Sequence, residues 1–361
     1  MSIDRRGDRA GADFRRALGE WGSSEPDRRS FDRFERFRAR RLRNRRFAAG
    51  VVAATITVAS VVLLTRTFAP VERRPASDAE PRGVILYGDW DEELQQGRWH
   101  TVRPDGSASR DLDLTATCAV WFPDGSAILT TDDATAGPGH PLRPAIVDPD
   151  GSNFRRLDAV RNRDLNLGCG DVSPDGTTIA IEGFGQDDHP ELDGIYTIDA
   201  SDGGSLERLL AGQVATPWYS PDGSRLGYFD DKEGVSPTGS GALFVMRADG
   251  TDRVRITPWG FAFDDHAWSP DGRWIVFQRP YGQLYLVRPD GSGLHRIPLE
   301  LPPGTGALNP SWSPDGAWIA FSLQRDDNAT IALVRPDGTG LRTVPTATGA
   351  LQNPDWASPS V

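Results

Sequence analysis

The sequence predicts an all-β fold: a six-bladed β-propeller closed by strands from both ends of the chain and preceded by one transmembrane helix. Three observations predict it. One short phrase is written five times: Trp121-Phe122-Pro123-Asp124-Gly125, Val172-Ser173-Pro174-Asp175-Gly176, Tyr219-Ser220-Pro221-Asp222-Gly223, Trp268-Ser269-Pro270-Asp271-Gly272 and Trp312-Ser313-Pro314-Asp315-Gly316. Its aspartates lie 51, 47, 49 and 44 residues apart, a period that belongs to repeat architectures. A second Asp-Gly turn, clearest in Arg288-Pro289-Asp290-Gly291 and Arg335-Pro336-Asp337-Gly338, recurs at Asp105, Asp150, Asp202 and Asp249. Finally, the propeller region opens with the later strands of a repeat and ends on Asn353-Pro354-Asp355-Trp356, the first strand of a repeat that breaks off.

Each element follows from local chemistry. In the phrase at 268–277, Pro270 presets φ for a turn, Asp271 and Gly272 suit the next positions, and Ile275-Val276-Phe277 form a β-branched, aromatic strand that can bury itself. A second strand pair around the later Asp-Gly turn makes four short antiparallel strands per unit, the blade of a propeller. Joining Val84–Tyr87 and Trp99–Arg103 to the strand at Trp356 completes a sixth blade, whereas an open stack would leave an unpaired edge at each end.

Four segments are expected along the chain. Residues 1–46, with 15 Arg and 8 acids, read as a cytoplasmic tail. Phe14, Ala17, Leu18 and Trp21 recur at helical spacing there and offer a docking helix for a cytoplasmic partner, while Phe31, Phe34 and Phe37 among arginines offer a membrane-surface segment. Residues 47–65 carry no charge and at about 1.5 Å per residue span roughly 28 Å, enough for a transmembrane helix. Six arginines (Arg38, Arg40, Arg41, Arg43, Arg45 and Arg46) precede it and only Arg66 immediately follows, so the tail is expected inside the cell and the rest outside. A cleaved signal peptide fits less well, since the leading region is long and Ala69 is followed by Pro70. Residues 66–82 read as a linker, and 83–361 as the propeller.

Charge narrows the partners. Net charge is −11 overall, but residues 83–361 hold 21 basic against 40 acidic residues, a poor footprint for nucleic acid. The expected partner is a protein or another envelope component.

The W-S-P-D-G-x-x-I-A-F pattern followed by R-P-D-G resembles the repeats of the TolB-type propeller, a six-bladed fold of bacterial envelope proteins. The copies at 268–277 and 312–321 match closely; Phe122 in place of Ser, and Val172 and Tyr219 in place of Trp, depart from it. The resemblance covers residues 83–361 and implies the fold. In place of the TolB N-terminal domain an anchor is expected here, so TolB's own role is not expected to carry over.

Alternating strand direction puts both kinds of Asp-Gly turn on one face of the disc and the variable loops on the other. Those loops hold acids: Asp89, Asp91, Glu92 and Glu93; Asp132 and Asp133; Asp187 and Asp188; Asp230 and Asp231; Asp326 and Asp327; and Asp264 and Asp265 precede the Trp268 strand. They are read either as a rim that attracts a basic surface or a cation, or as a solvated, charged loop set. Calcium is chemically open to such oxygens, but no D-x-D-x-D-G loop occurs, and no metal or cofactor is assigned. Three positions before the repeat's Trp stand Cys118, Cys169, Thr216, Asp265, Asn309 and Asn353, expected to ring the channel mouth beside His266. The ring is read as a binding site or as water-holding channel lining. Cys118 and Cys169 occupy equivalent positions of consecutive blades, so an exported domain is expected to join them in a disulfide.

Three function classes remain: a binding propeller, an anti-sigma-like signalling protein acting through residues 1–46, and a propeller hydrolase or lyase. The tail lacks His and Cys, and so the zinc motif of one anti-sigma class. No G-x-S-x-G, H-E-x-x-H or P-loop is present, and catalysis would rest on the scattered His140, His189 and His266.

Overall fold

The computed structural model of the chain describes residues 80–358, apart from 92–95, 133–140, 161, 186–188, 231–240, 263–264, 280–281, 303, 326–327, 347–348 and 350. The tail, the span 47–65 and most of the linker lie outside the described residues. Among the described residues no helix is long and apolar enough to cross a membrane.

Six four-stranded antiparallel sheets form the blades. Blade 1 orders β24 (Leu351–Ala357), β1 (Val84–Asp91), β2 (Gln96–Val102) and β3 (Arg110–Thr115) from the axis outward. Blade 2 has β4 (Ala119–Trp121), β5 (Ile128–Thr131), β6 (Pro144–Val147) and β7 (Arg155–Arg156); blade 3 has β8 (Leu165–Val172), β9 (Thr178–Gly185), β10 (Gly194–Asp199) and β11 (Glu207–Ala211). Blade 4 runs through β12 (Val214–Tyr219), β13 (Arg225–Asp230), β14 (Ala242–Arg247) and β15 (Val254–Arg255). Blade 5 is β16 (His266–Trp268), β17 (Ile275–Arg279), β18 (Gln283–Val287) and β19 (His295–Arg296). Blade 6 is β20 (Thr305–Trp312), β21 (Ile319–Arg325), β22 (Asn328–Val334) and β23 (Arg342–Thr343).

The ring closes as the half-repeats predict. The last strand, β24, pairs with the first, Val84 opposite Ala357 and Ile85 opposite Trp356. Each inner strand touches the next around the axis, including β20 to β24 and β24 to β4.

Period-two alternation explains why a blade needs two neighbours. In β21, Ile319 and Phe321 join the apolar cluster shared with blade 5, while Ala320, with Trp318 just before the strand, joins the one shared with blade 1. Adjacent Ile331 and Ala332 of β22 part in the same way. One such cluster lies between every pair of neighbouring blades, so no sheet face is left uncovered.

The recurring phrase also has a structural account. In blade 6 the buried Ser313 hydroxyl donates to Asp315 Oδ1 at 2.6 Å and accepts the Trp318 backbone N–H at 2.8 Å. Asp315 Oδ1 in turn accepts the Ala317 N–H at 2.9 Å. Ser173, Ser220 and Ser269 repeat this pattern. The tryptophans stitch blades together: Trp268 Nε1 donates to the Trp218 carbonyl at 3.1 Å and Trp312 Nε1 to the Ala267 carbonyl at 3.3 Å, each in the preceding blade.

Candidate binding site at the channel mouth

The inner strands run from the loop face to the turn face, so their first residues surround the loop-face mouth of the channel. Partway down from that mouth the strands are bulged: pairing shifts register between Ala215 and Trp218 in β12, Leu308 and Ser311 in β20, and Leu167 and Gly170 in β8. Thr216, Asn309 and Asn353 take left-handed φ values of 49°, 51° and 51°. All three precede proline, and Thr216 is β-branched; either feature disfavours that conformation. Such bulges re-aim side chains at the rim of a sheet.

The re-aimed groups meet between blades 5 and 6. Asp265 Oδ2 accepts from Asn309 Nδ2 at 2.8 Å and from Gln278 Nε2 at 3.0 Å. Gln278 Oε1 accepts the Asn309 backbone N–H at 2.7 Å, closing the triangle. Gln278 is buried and locked from both ends, so it holds the partly exposed Asp265 and Asn309 in place. A fixed carboxylate beside a fixed amide suits recognition of hydrogen-bond donors and of cationic side chains. On the other side of the mouth Cys118 and Cys169 are joined in a disulfide, with Cα atoms 6.0 Å apart, tying blades 2 and 3.

Two expected rim residues lie inside instead. His266 is only 2% exposed, and a Cβ on Gly227 of blade 4 would sit 2.8 Å from its Nε2, so the glycine makes room for the imidazole. Asp132 is 1% exposed; it accepts the Arg143 N–H at 2.8 Å and pairs with Arg156 Nη2 at 2.7 Å, fastening strands of blade 2. Asp230 is half-buried at the loop-face end of β13. Asp133, Asp187, Asp188, Asp231, Asp326 and Asp327 lie outside the described residues. Among the described residues, no group of three or more His, Cys, Asp or Glu side chains is placed to hold a metal ion.

Further along the bore stand two carboxylates not singled out from the sequence. Asp171 Oδ2 accepts the Tyr219 N–H at 2.8 Å, and Asp355 Oδ2 accepts the Trp121 N–H at 2.7 Å, each reaching the inner strand of the next blade. Both are partly exposed in the bore, and desolvation there pushes the Asp171 carboxyl up to about 8 against the pull of the Tyr219 N–H, with the charge of Asp355 adding to the rise. Desolvation raises Asp355 as well. The signal was an acid inside an otherwise apolar or small-residue strand, in Gly170-Asp171-Val172 and Pro354-Asp355-Trp356.

Comparison with known proteins agrees with this architecture. Among solved structures, TolB from Acinetobacter baumannii superposes with a TM-score of 0.59 at 18% identity, covering 76% of this chain and 67% of that one. Kuenenia stuttgartiensis hydrazine synthase gives 0.59 at 13% identity, covering 77% and 47%. At these identities the likeness shows the fold alone. An uncharacterized protein of Agrobacterium fabrum is 31% identical over 134 residues, covering 35% of this chain and 41% of its own length. An uncharacterized peptidase of Bacillus subtilis is 27% identical over 114 residues, 31% of this chain and 17% of the peptidase. The chain thus spans less than half the length of either relative. The family model described as the TolB beta propeller domain matches residues 154–360, and the chain belongs to that family.

Proposed function

We propose that the chain is a membrane-anchored, extracytoplasmic propeller that binds a protein or another envelope component through its loop face, at the channel mouth. The observation that carries this reading is the triangle of Asp265, Gln278 and Asn309, a polar group pre-organised by bulged inner strands on the loop face. Rigid placement lowers the ordering cost of binding. The uncharged stretch 47–65 with arginines before it supports the anchor, and the Cys118–Cys169 disulfide supports an oxidising compartment.

The test is capture from solubilised envelopes with the full chain, wild type against Asp265→Lys, with matched melting curves as the folding control. A component retained by wild type and lost by the variant supports the reading. Identical capture by both rejects the channel mouth as the site. Carbonate extraction of membranes, leaving the chain in the pellet, checks the anchor separately.

A further inference from the structure

We propose that the turn face of the propeller lies against the membrane that residues 47–65 enter, with Phe154, Leu206, Val254 and Leu341 seated at the lipid headgroups. This rests on the anchored reading above and adds the face that is occupied by the bilayer.

The path of the chain is the first argument. Because Val84 pairs with Ala357 and Asp89 with Leu351, β1 begins at the turn face and ends at the loop face. The residues before it stay on that side. The Arg82 carbonyl accepts Trp356 Nε1 at 2.9 Å, and Glu80 pairs with Arg342 Nη2 at 2.8 Å, on the outermost strand of blade 6. The polypeptide therefore reaches the propeller at the rim of the turn face. From residue 65 to residue 80 it can extend no further than about 50 Å. Turning the loop face to the membrane would use about half of that reach in climbing the height of a blade, about 25 Å for a strand of this length, so the turn-face orientation is the less extended of the two.

The second argument is independent of the first. Single exposed apolar residues are ordinary. Here, however, three of the four large hydrophobic residues standing most exposed among the described ones share one structural position, four residues after the second-turn aspartate: Phe154 at 41%, Leu206 at 37% and Leu341 at 36%; Val254, at 47%, stands one residue later in its blade. Each stands where the outermost strand begins, just past the second Asp-Gly turn of blades 2, 3, 4 and 6. A left-handed residue stands at the same place in the turn of each of these blades (Asn153, Ser205, Asp252 and Gly340). Arginine follows at once in three cases, Arg155, Arg255 and Arg342.

An apolar side chain at such a rim can enter the headgroup boundary of a bilayer, while the neighbouring guanidiniums are engaged within the protein, Arg155 with the Ser201 carbonyl and Arg342 with Glu80. The turn aspartates bring opposing charge to this face, so apolar insertion rather than net charge makes the contact. The loop face, where no such apolar rim occurs among the described residues, is left toward the partner.

The test uses the full chain in vesicles of phosphatidylcholine and phosphatidylglycerol containing an acceptor-labelled lipid. The native cysteines are paired, so a donor fluorophore is placed on a new cysteine, Thr339→Cys on the turn face or Asn328→Cys at the opposite end of blade 6. Energy transfer is expected to be at least about twofold stronger from position 339, given a separation of roughly 25 Å along the blade. Replacing Phe154, Leu206, Val254 and Leu341 together by serine is expected to narrow the difference. Equal transfer from the two positions, or stronger transfer from 328, overturns the proposal while leaving the anchor intact. A chain that fails to float with the vesicles overturns the anchored reading and this one with it. Concentration-dependent protection of the rim in the absence of lipid assigns it to a second copy, which also overturns the proposal.

Discussion

Asp355, on the last strand, accepts the backbone N–H of Trp121 at 2.7 Å across 234 residues of chain. Its other oxygen lies 3.3 Å from the Ser311 hydroxyl of blade 6. One side chain on the closing strand thus touches the blades on both sides of its own. The ring is held at its seam by side-chain bonds as well as by the pairing of β24 with β1.

Closure makes Trp356 the residue whose loss is expected to tell most about the seam. It is 6% exposed and packs with Ile85, Tyr87, Trp318 and Leu351 in the cluster between blades 6 and 1. Trp356→Ala is expected to lower unfolding stability by about 3–5 kcal/mol, the range for emptying a large aromatic site. Chemical denaturation measures it. A loss below about 1 kcal/mol would mean that the closing strand does not hold the ring.

The two acids of the bore predict an unusual pH profile. Asp171 has a folded value of about 8 against an ordinary 3.8, so the folded chain holds its proton more tightly than the unfolded chain. Its contribution therefore favours folding below the unfolded value and is lost as pH rises toward 8, with a slope of at most about 1.4 kcal/mol per pH unit. Asp222 acts in the opposite sense: hydrogen bonds from Ser220 and Ser224 lower its carboxyl, so its contribution is lost as pH falls through the lowered value. Asp171→Asn keeps an acceptor for the Tyr219 N–H and removes the charge. It is expected to flatten the decline between pH 5 and 8, read from melting temperatures. An unchanged decline would exclude Asp171 as its source.

The fold was legible because the phrase around each Asp-Gly turn is written in local chemistry: Pro presets φ, Gly takes the left-handed position, and apolar residues alternate. The closing strand was legible from the unfinished phrase at Asn353–Trp356. The site was harder to read, because the direction a side chain takes at a bulge is set by tertiary pairing. Asn309 and Asp265 were expected at the mouth and are joined by a hydrogen bond, whereas Gln278, which locks them together, directly follows the apolar Ile275-Val276-Phe277 and carries no signal of that role in the sequence. Asp132 looked like a loop acid and is instead paired with Arg156, a partner 24 residues on that spacing does not reveal. The left-handed residue three positions after every second-turn aspartate went unread because its identity varies: Ala108, Asn153, Ser205, Asp252, Gly293 and Gly340.

The repeat's serine carries a measurable share of the turn. Ser313→Ala removes both the bond to Asp315 and the acceptor for Trp318 N–H at a site that is 1% exposed. A loss of about 1–3 kcal/mol is expected, since a buried N–H is left without a partner. At the equivalent place in blade 2, Phe122 packs against the cluster shared with blade 3, so Phe122→Ser is expected to lose apolar contact without a comparable gain. If Ser313→Ala is neutral in denaturant titration, the serine's recurrence has another cause.

The disulfide between Cys118 and Cys169 closes a segment of 51 residues at the channel mouth. On the chain-entropy model a loop of that size adds about 4 kcal/mol, acting mainly on the unfolded chain. The neighbouring strands remain packed without it, because Leu129, Ile146, Leu165, Leu167 and Ile179 form the shared cluster of blades 2 and 3. The double replacement Cys118→Ser and Cys169→Ser is therefore expected to leave a folded propeller with a lower denaturation midpoint, and reductant is expected to shift the wild type by the same amount. Intact mass under non-reducing conditions, with and without thiol alkylation, reports the state of the bond in membranes prepared from cells. Two alkylated thiols in that material, or a midpoint insensitive to reductant, would remove the disulfide as a stabilising link and with it the support it lends to an oxidising compartment.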